Sequence, residues 1–139
     1  MLYFAYGMNT NRYEMRSRCP QAISQGHARL LDACFRFSTH ADIVECDGSA
    51  VDGVLWDITD DCLTALDQLE GYPFYYGRRE FEVEHGDEIK TAIAYYMQPG
   101  KSDSPPNRHY LNVLIEGYTE HGAPLDQIEH ALAYSLEFP

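Results

Sequence analysis

The chain has 139 residues and a formal net charge of -12, with 10 Lys and Arg set against 22 Asp and Glu. That balance, in which Arg78-Arg79 is the one adjacent basic pair, excludes the function classes that work by neutralising phosphates: nucleic-acid binders and proteins of anionic membrane surfaces. The length suits one domain over residues 1–139 with its own core. With no leader-like N-terminal segment and no apolar run of membrane length, a cytoplasmic protein is expected.

The first stretch, Leu2-Tyr3-Phe4-Ala5-Tyr6-Gly7-Met8-Asn9-Thr10, is an apolar, aromatic run that stops at a glycine and a polar, cap-forming pair. It reads as a buried strand delivering a tight loop, with Asn9 or Thr10 capping a helix over Asn11 to Cys19. A strand, a glycine turn and a helix start gather free backbone N–H groups in one place, which suits an anion or a developing oxyanion. Pro20 stops the helix. Ala22 to Ala33, around Gly26, is expected to be an extended, bulged strand that continues through Cys34 to Ser38.

His40 to Asp47 carries charge without periodicity and reads as a loop. Ser49 to Ile58 returns to strand, apolar on both faces and so covered on both. Thr59-Asp60-Asp61 is a helix start, with a capping hydroxyl and acids in the first turn, and Cys62, Leu63, Leu66 and Leu69 follow at helical spacing. Gly71 and Pro73 end that helix and fix Glu70 in its last turn. Tyr75 to Glu84 and Ile89 to Met97 read as a hairpin, Ser104-Pro105-Pro106 as the opening of a helix to about His121, and Leu125 to Leu136 as a terminal helix. Strands with interspersed helices and no βαβ rhythm predict an α+β fold with a mostly antiparallel or mixed sheet.

Cys19, Cys34, Cys46 and Cys62 are well separated, without a Cys-x-x-Cys pair or a His at zinc-ligand spacing, and read as free thiols in a reducing compartment. The six histidines show no mutual spacing for a metal; His109, beside Tyr110, is the one expected near a site. No Gly-x-Ser-x-Gly elbow, phosphate loop or dinucleotide motif occurs, so neither a metal nor a nucleotide cofactor is implied.

The loop at Tyr6-Gly7-Met8-Asn9 and the later Leu66-Asp67-Gln68-Leu69-Glu70-Gly71 together resemble the gamma-glutamylcyclotransferase family (AIG2-like), in which a Tyr-Gly-Ser-Asn-like loop faces a glutamate from a Glu-Gly pair. The resemblance continues through Tyr75-Tyr76, Ala94-Tyr95-Tyr96-Met97, Ser104-Pro105-Pro106-Asn107-Arg108-His109-Tyr110 and Glu120-His121-Gly122-Ala123-Pro124-Leu125. It implies a small, largely antiparallel β-barrel flanked by helices. It also implies a cofactor-free enzyme that cyclises a gamma-glutamyl amino acid or amine to 5-oxoproline, releasing the amine.

In that reading Glu70 is the general acid/base, and a carboxylate at the negative end of a helix is already biased toward a raised pKa. The backbone of Gly7, Met8 and Asn9 would hold the substrate's polar atoms, Tyr6 would shape that wall, and Tyr76, Tyr110 and, in the same way, Tyr95 fall on pocket tyrosines of the family. Tyr76 matches after a shift of about one residue in the alignment. Met8 stands where the family more often has Ser, which matters only if the hydroxyl does. The alternatives are a specialised member that removes a gamma-glutamyl protecting group in biosynthesis, and a non-catalytic small-molecule-binding domain of the same fold.

Overall fold

The computed structural model describes residues 1–137; positions 138 and 139 of the expected domain lie outside the described residues. Strands β1 (Leu2–Ala5), β2 (Ile23–Ser38), β3 (His40–Asp57), β4 (Tyr76–His85) and β5 (Glu88–Met97) close a barrel in the order β1-β3-β2-β4-β5. Every pairing is antiparallel except β1 with β5, which run parallel where Tyr3 meets Ile93. The expected mixed, largely antiparallel barrel is therefore the fold. Among the described residues no helix is long and apolar enough to cross a membrane.

Side chains alternate across a strand, and β1 with the residue after it uses that period to serve two cores. Phe4 and Tyr6 enter the barrel with Leu30, Val51, Leu55, Val83 and Tyr118, while Tyr3 and Ala5 face Met15, Val54, Trp56, Leu66 and Met97 outside it. The second cluster is where two helices dock: α1 (Arg12–Arg18) and α2 (Asp60–Glu70). On the other side α3 (Arg108–Glu120) contributes Tyr110, Leu114 and Tyr118, and α4 (Asp126–Glu137) contributes Ile128 and Ala131.

Four sequence expectations change. His40 to Asp47 is not a loop but the first half of β3, which turns back on β2 at Thr39 with Ala41 opposite Phe37 and Ile43 opposite Phe35. Its charge did not mark solvent: Asp42, between Ala41 and Ile43, is buried by an ion pair to Arg36 on the neighbouring strand, a partner that the local sequence does not reveal. The cap of α1 is Asn11 rather than Asn9 or Thr10, its side chain accepting from the Tyr13 and Glu14 N–H groups at 3.0 and 3.3 Å. Helix α3 starts later than Ser104, at an Asn107 cap, because Ser104 is engaged by the end of β2: its N–H donates to the Phe37 carbonyl and its carbonyl accepts from Thr39.

The fourth correction concerns the thiols. Cys19 is bonded to Cys62, joining the end of α1 to the start of α2, and Cys34 to Cys46 across the β2–β3 hairpin; no cysteine is free among the described residues. Both pairs are made by tertiary docking or strand register, which spacing along the chain does not encode. The expectation of four free thiols is therefore replaced by two disulfides.

Candidate active site

β1 ends at Ala5, and Tyr6-Gly7 leads into a single 3₁₀ turn over Met8–Thr10. The turn is pinned by Thr10, whose N–H and hydroxyl both donate to the Gly7 carbonyl, at 3.0 and 2.7 Å. The Met8 and Asn9 N–H groups precede that first bond of the turn, as the leading donors of any helical turn do. Gly7 does not have a left-handed backbone; a Cβ there would sit 3.0 Å from the Tyr110 hydroxyl, tight enough that the phenol would have to shift. Asn9 is buried, its Nδ2 donating to Tyr3 Oη at 3.1 Å, and its Oδ1 has no partner.

Helix α2 delivers Glu70 to the same place. Thr59 caps its start by accepting from the Cys62 N–H, Leu66 anchors it in the outer core, and Gly71, with φ of 63°, ends it where the sequence predicts. Glu70 is partly buried, and that burial pushes its carboxyl up to about 7, with the Arg18 guanidinium pulling the other way. Burial, rather than the helix end on which the sequence argument rested, is the dominant cause.

The loop and the carboxylate open onto one cavity of about 480 Å³. Tyr6, Gly7, Met8, Asn9, Glu70, Tyr76 and Tyr110 all line it. Two tyrosines are tied to the Ala41 peptide. The Tyr76 hydroxyl donates to the Ala41 carbonyl at 2.9 Å, and the Tyr110 oxygen accepts from the Ala41 N–H at 2.9 Å. Tyr110 therefore keeps its own proton for donation, while burial pushes both phenols well above their ordinary range and keeps them neutral. The Tyr6 hydroxyl is spent on the Tyr95 carbonyl at 2.6 Å, leaving its ring as wall.

Sequence reasoning missed several lining residues. Arg18 comes from the end of α1 and His40 from the start of β3, and Tyr3 adds a second phenol beside Asn9. His109, expected near the site, is exposed on α3 and does not line the cavity; His40 does, edge-on to the Tyr110 ring at 5.1 Å. Tyr95 lines the cavity too, with its hydroxyl donating to Asp67 at 2.6 Å. Arg18 could have been suspected from its place one short helix after the glycine loop. His40 could not, because its segment read as a loop.

A five-stranded barrel thus brings the glycine turn after its first strand and the half-buried glutamate at the end of α2 onto one cavity. The family described as gamma-glutamyl cyclotransferase, AIG2-like, matches residues 3–116, and the chain belongs to that family. The bovine (Bos taurus) gamma-glutamylcyclotransferase is 30% identical over 138 residues, covering 90% of this chain and 73% of that one. The human (Homo sapiens) one is 28% identical over 141 residues, covering 92% and 75%. A solved structure titled gamma-glutamyl cyclotransferase superposes with a TM-score of 0.84 at 29% identity, covering 94% of this chain and 85% of that one.

Proposed function

We propose that this protein cyclises a gamma-glutamyl amino acid or amine to 5-oxoproline and frees the attached amine, with Glu70 moving the proton. The observation that carries this reading is the meeting, in one cavity, of a half-buried carboxylate, which burial pushes up toward 7, and a glycine turn with leading backbone N–H groups. The substrate's α-amine attacks its own γ-carbonyl carbon, so the new C–N bond closes a five-membered ring. The tetrahedral oxyanion collapses and the C–N bond to the leaving amine breaks. Glu70 takes the proton from the α-amine and returns it to the leaving nitrogen. Because the nucleophile is part of the substrate, the steps balance without a covalent enzyme intermediate or a cofactor.

A base works best when its pKa lies near the working pH, and burial brings Glu70 there. The intramolecular attack gains chiefly from holding the substrate in its cyclised rotamer. Walls made of Tyr6, Tyr76 and Tyr110 suit that task, and the Met8 and Asn9 N–H groups with the Tyr110 hydroxyl are the donors for the oxyanion. Since these donors are backbone or phenol, Met8 in place of the family's usual Ser costs the mechanism little.

The test is 5-oxoproline release from a panel of gamma-glutamyl amino acids and amines. Release from several members supports a general cyclotransferase, and release from a single biosynthetic-type amine supports the protecting-group reading. No release, with ligand binding retained, would leave the non-catalytic binding domain.

A further inference from the structure

The geometry points to Arg18 as the residue that binds the α-carboxylate of the gamma-glutamyl group, so that Arg18 and Glu70 together read the zwitterionic amino-acid head and leave the departing amine free of any charge requirement. This rests on the cyclotransferase reading and names its substrate class by what the leaving group need not carry.

Arg18 is the only Lys or Arg among the described residues that line the cavity, and Glu70 is the only Asp or Glu. Arg18 is held from the protein side by one contact, Nη1 to Glu14 Oε2 at 2.8 Å, one helical turn back. Its Nε is buried and has no partner. A guanidinium presents five donors in a planar fork suited to a carboxylate, and with one Nη1 bond to Glu14 and a side chain 21% exposed, Arg18 brings Nη donors to the cavity that no protein group uses.

The gamma-glutamyl group carries a carboxylate and an amine on one carbon, and the cavity offers one permanent cation and one carboxylate. If Glu70 receives the amine's proton, the carboxylate on the same carbon must lie within a few bond lengths of Glu70. Arg18 is close enough to Glu70 to draw on its charge. A carboxylate on the leaving amine would need a second cation. The remaining nitrogen base of the lining, His40, is exposed and packs edge-on against the Tyr110 ring. In a chain of net charge -12, an extra substrate carboxylate has little to favour it. The cavity therefore takes gamma-glutamyl amines as readily as gamma-glutamyl amino acids.

The experiment compares gamma-glutamyl-ethylamine with gamma-glutamyl-alanine on the wild type, Arg18→Gln and Arg18→Lys, reading KM and kcat for 5-oxoproline release. In parallel, binding of 5-oxo-L-proline and of 2-pyrrolidinone, its counterpart without the carboxylate, is followed by calorimetry. The wild type should use both substrates with KM values within about threefold. Arg18→Gln should raise both KM values by about tenfold or more, as expected for loss of a charged hydrogen-bonded contact, with kcat falling far less and Arg18→Lys lying between. A KM rise confined to the alanine substrate, or none, would overturn the inference. Absence of 5-oxoproline release with Arg18-dependent, carboxylate-dependent binding would sink the catalytic reading and keep this one; absence of both would sink both.

Discussion

Tyr76 and Tyr110 grip the same peptide from its two ends: one hydroxyl donates to the Ala41 carbonyl and the other oxygen accepts from the Ala41 N–H, each at 2.9 Å. The start of β3 is thereby the ruler that spaces two cavity phenols. Removing either hydroxyl has unequal consequences. Tyr110→Phe strands a buried N–H and removes a free phenol donor from the cavity, whereas Tyr76→Phe deprives a carbonyl that has a second lone pair. We expect Tyr110→Phe to cost about 1–3 kcal/mol and Tyr76→Phe about 1 kcal/mol, in that order, by chemical denaturation. Equal costs would contradict the assigned directions.

Ala41 is itself held in place by its neighbour. Asp42, 2% exposed, accepts from Arg36 Nε at 2.7 Å and from the Met97 N–H at 2.8 Å, fastening β3 to β2 and β5; Arg36 also reaches Asp103 at 2.8 Å. Asp42→Ala frees both donors and should destabilise by about 2–4 kcal/mol, less than a fully enclosed pair because Arg36 reaches solvent. Its KM should rise as Tyr76 and Tyr110 lose their spacing. Unchanged stability in denaturant would refute the role.

The Glu70 carboxyl has a folded-state pKa near 7 against an ordinary 4.5, so the folded protein holds this proton where the unfolded chain releases it. Between those values stability falls as pH rises, and the penalty is fully present above about 7. Glu70→Gln should therefore melt no lower than the wild type at pH 8, and the wild-type advantage at pH 5 over pH 8 should shrink in it. Activity follows the other sign: the base must be ionised, so kcat/KM should climb through an acid limb near 7. Arg18→Gln, lacking the cation that opposes the shift, should move that limb upward.

Gly117 lets α3 lie against the loop. A Cβ there would collide with Thr10 Oγ1 and come within 2.7 Å of the Asn11 N. Gly117→Ala should cost about 1–3 kcal/mol by forcing α3 away, and should lower activity by tilting the Met8–Thr10 turn. Wild-type activity in this variant would mean that the turn's position does not matter.

What was legible in the sequence was what local chemistry determines. Thr59, Leu66 and Gly71 write the start, the buried face and the end of α2, and so place Glu70 at its tip. The aromatic run before Gly7 likewise marks β1 and its loop. What escaped were features made by partners distant in the chain. Asp42 looks like a loop residue until Arg36 neutralises it, and Cys19 looks unpaired until α1 docks on α2. Arg18 looks like a solvated helix end until the barrel turns it toward Glu70.

The measurement that bears most directly on the account is 5-oxoproline release by wild type and Glu70→Gln under identical conditions, with calorimetric ligand binding checked in both. The account predicts release by the wild type and a loss of about a hundredfold or more in a folded, ligand-binding Glu70→Gln, as for removal of a positioned general base. Release at the wild-type rate by Glu70→Gln would contradict it.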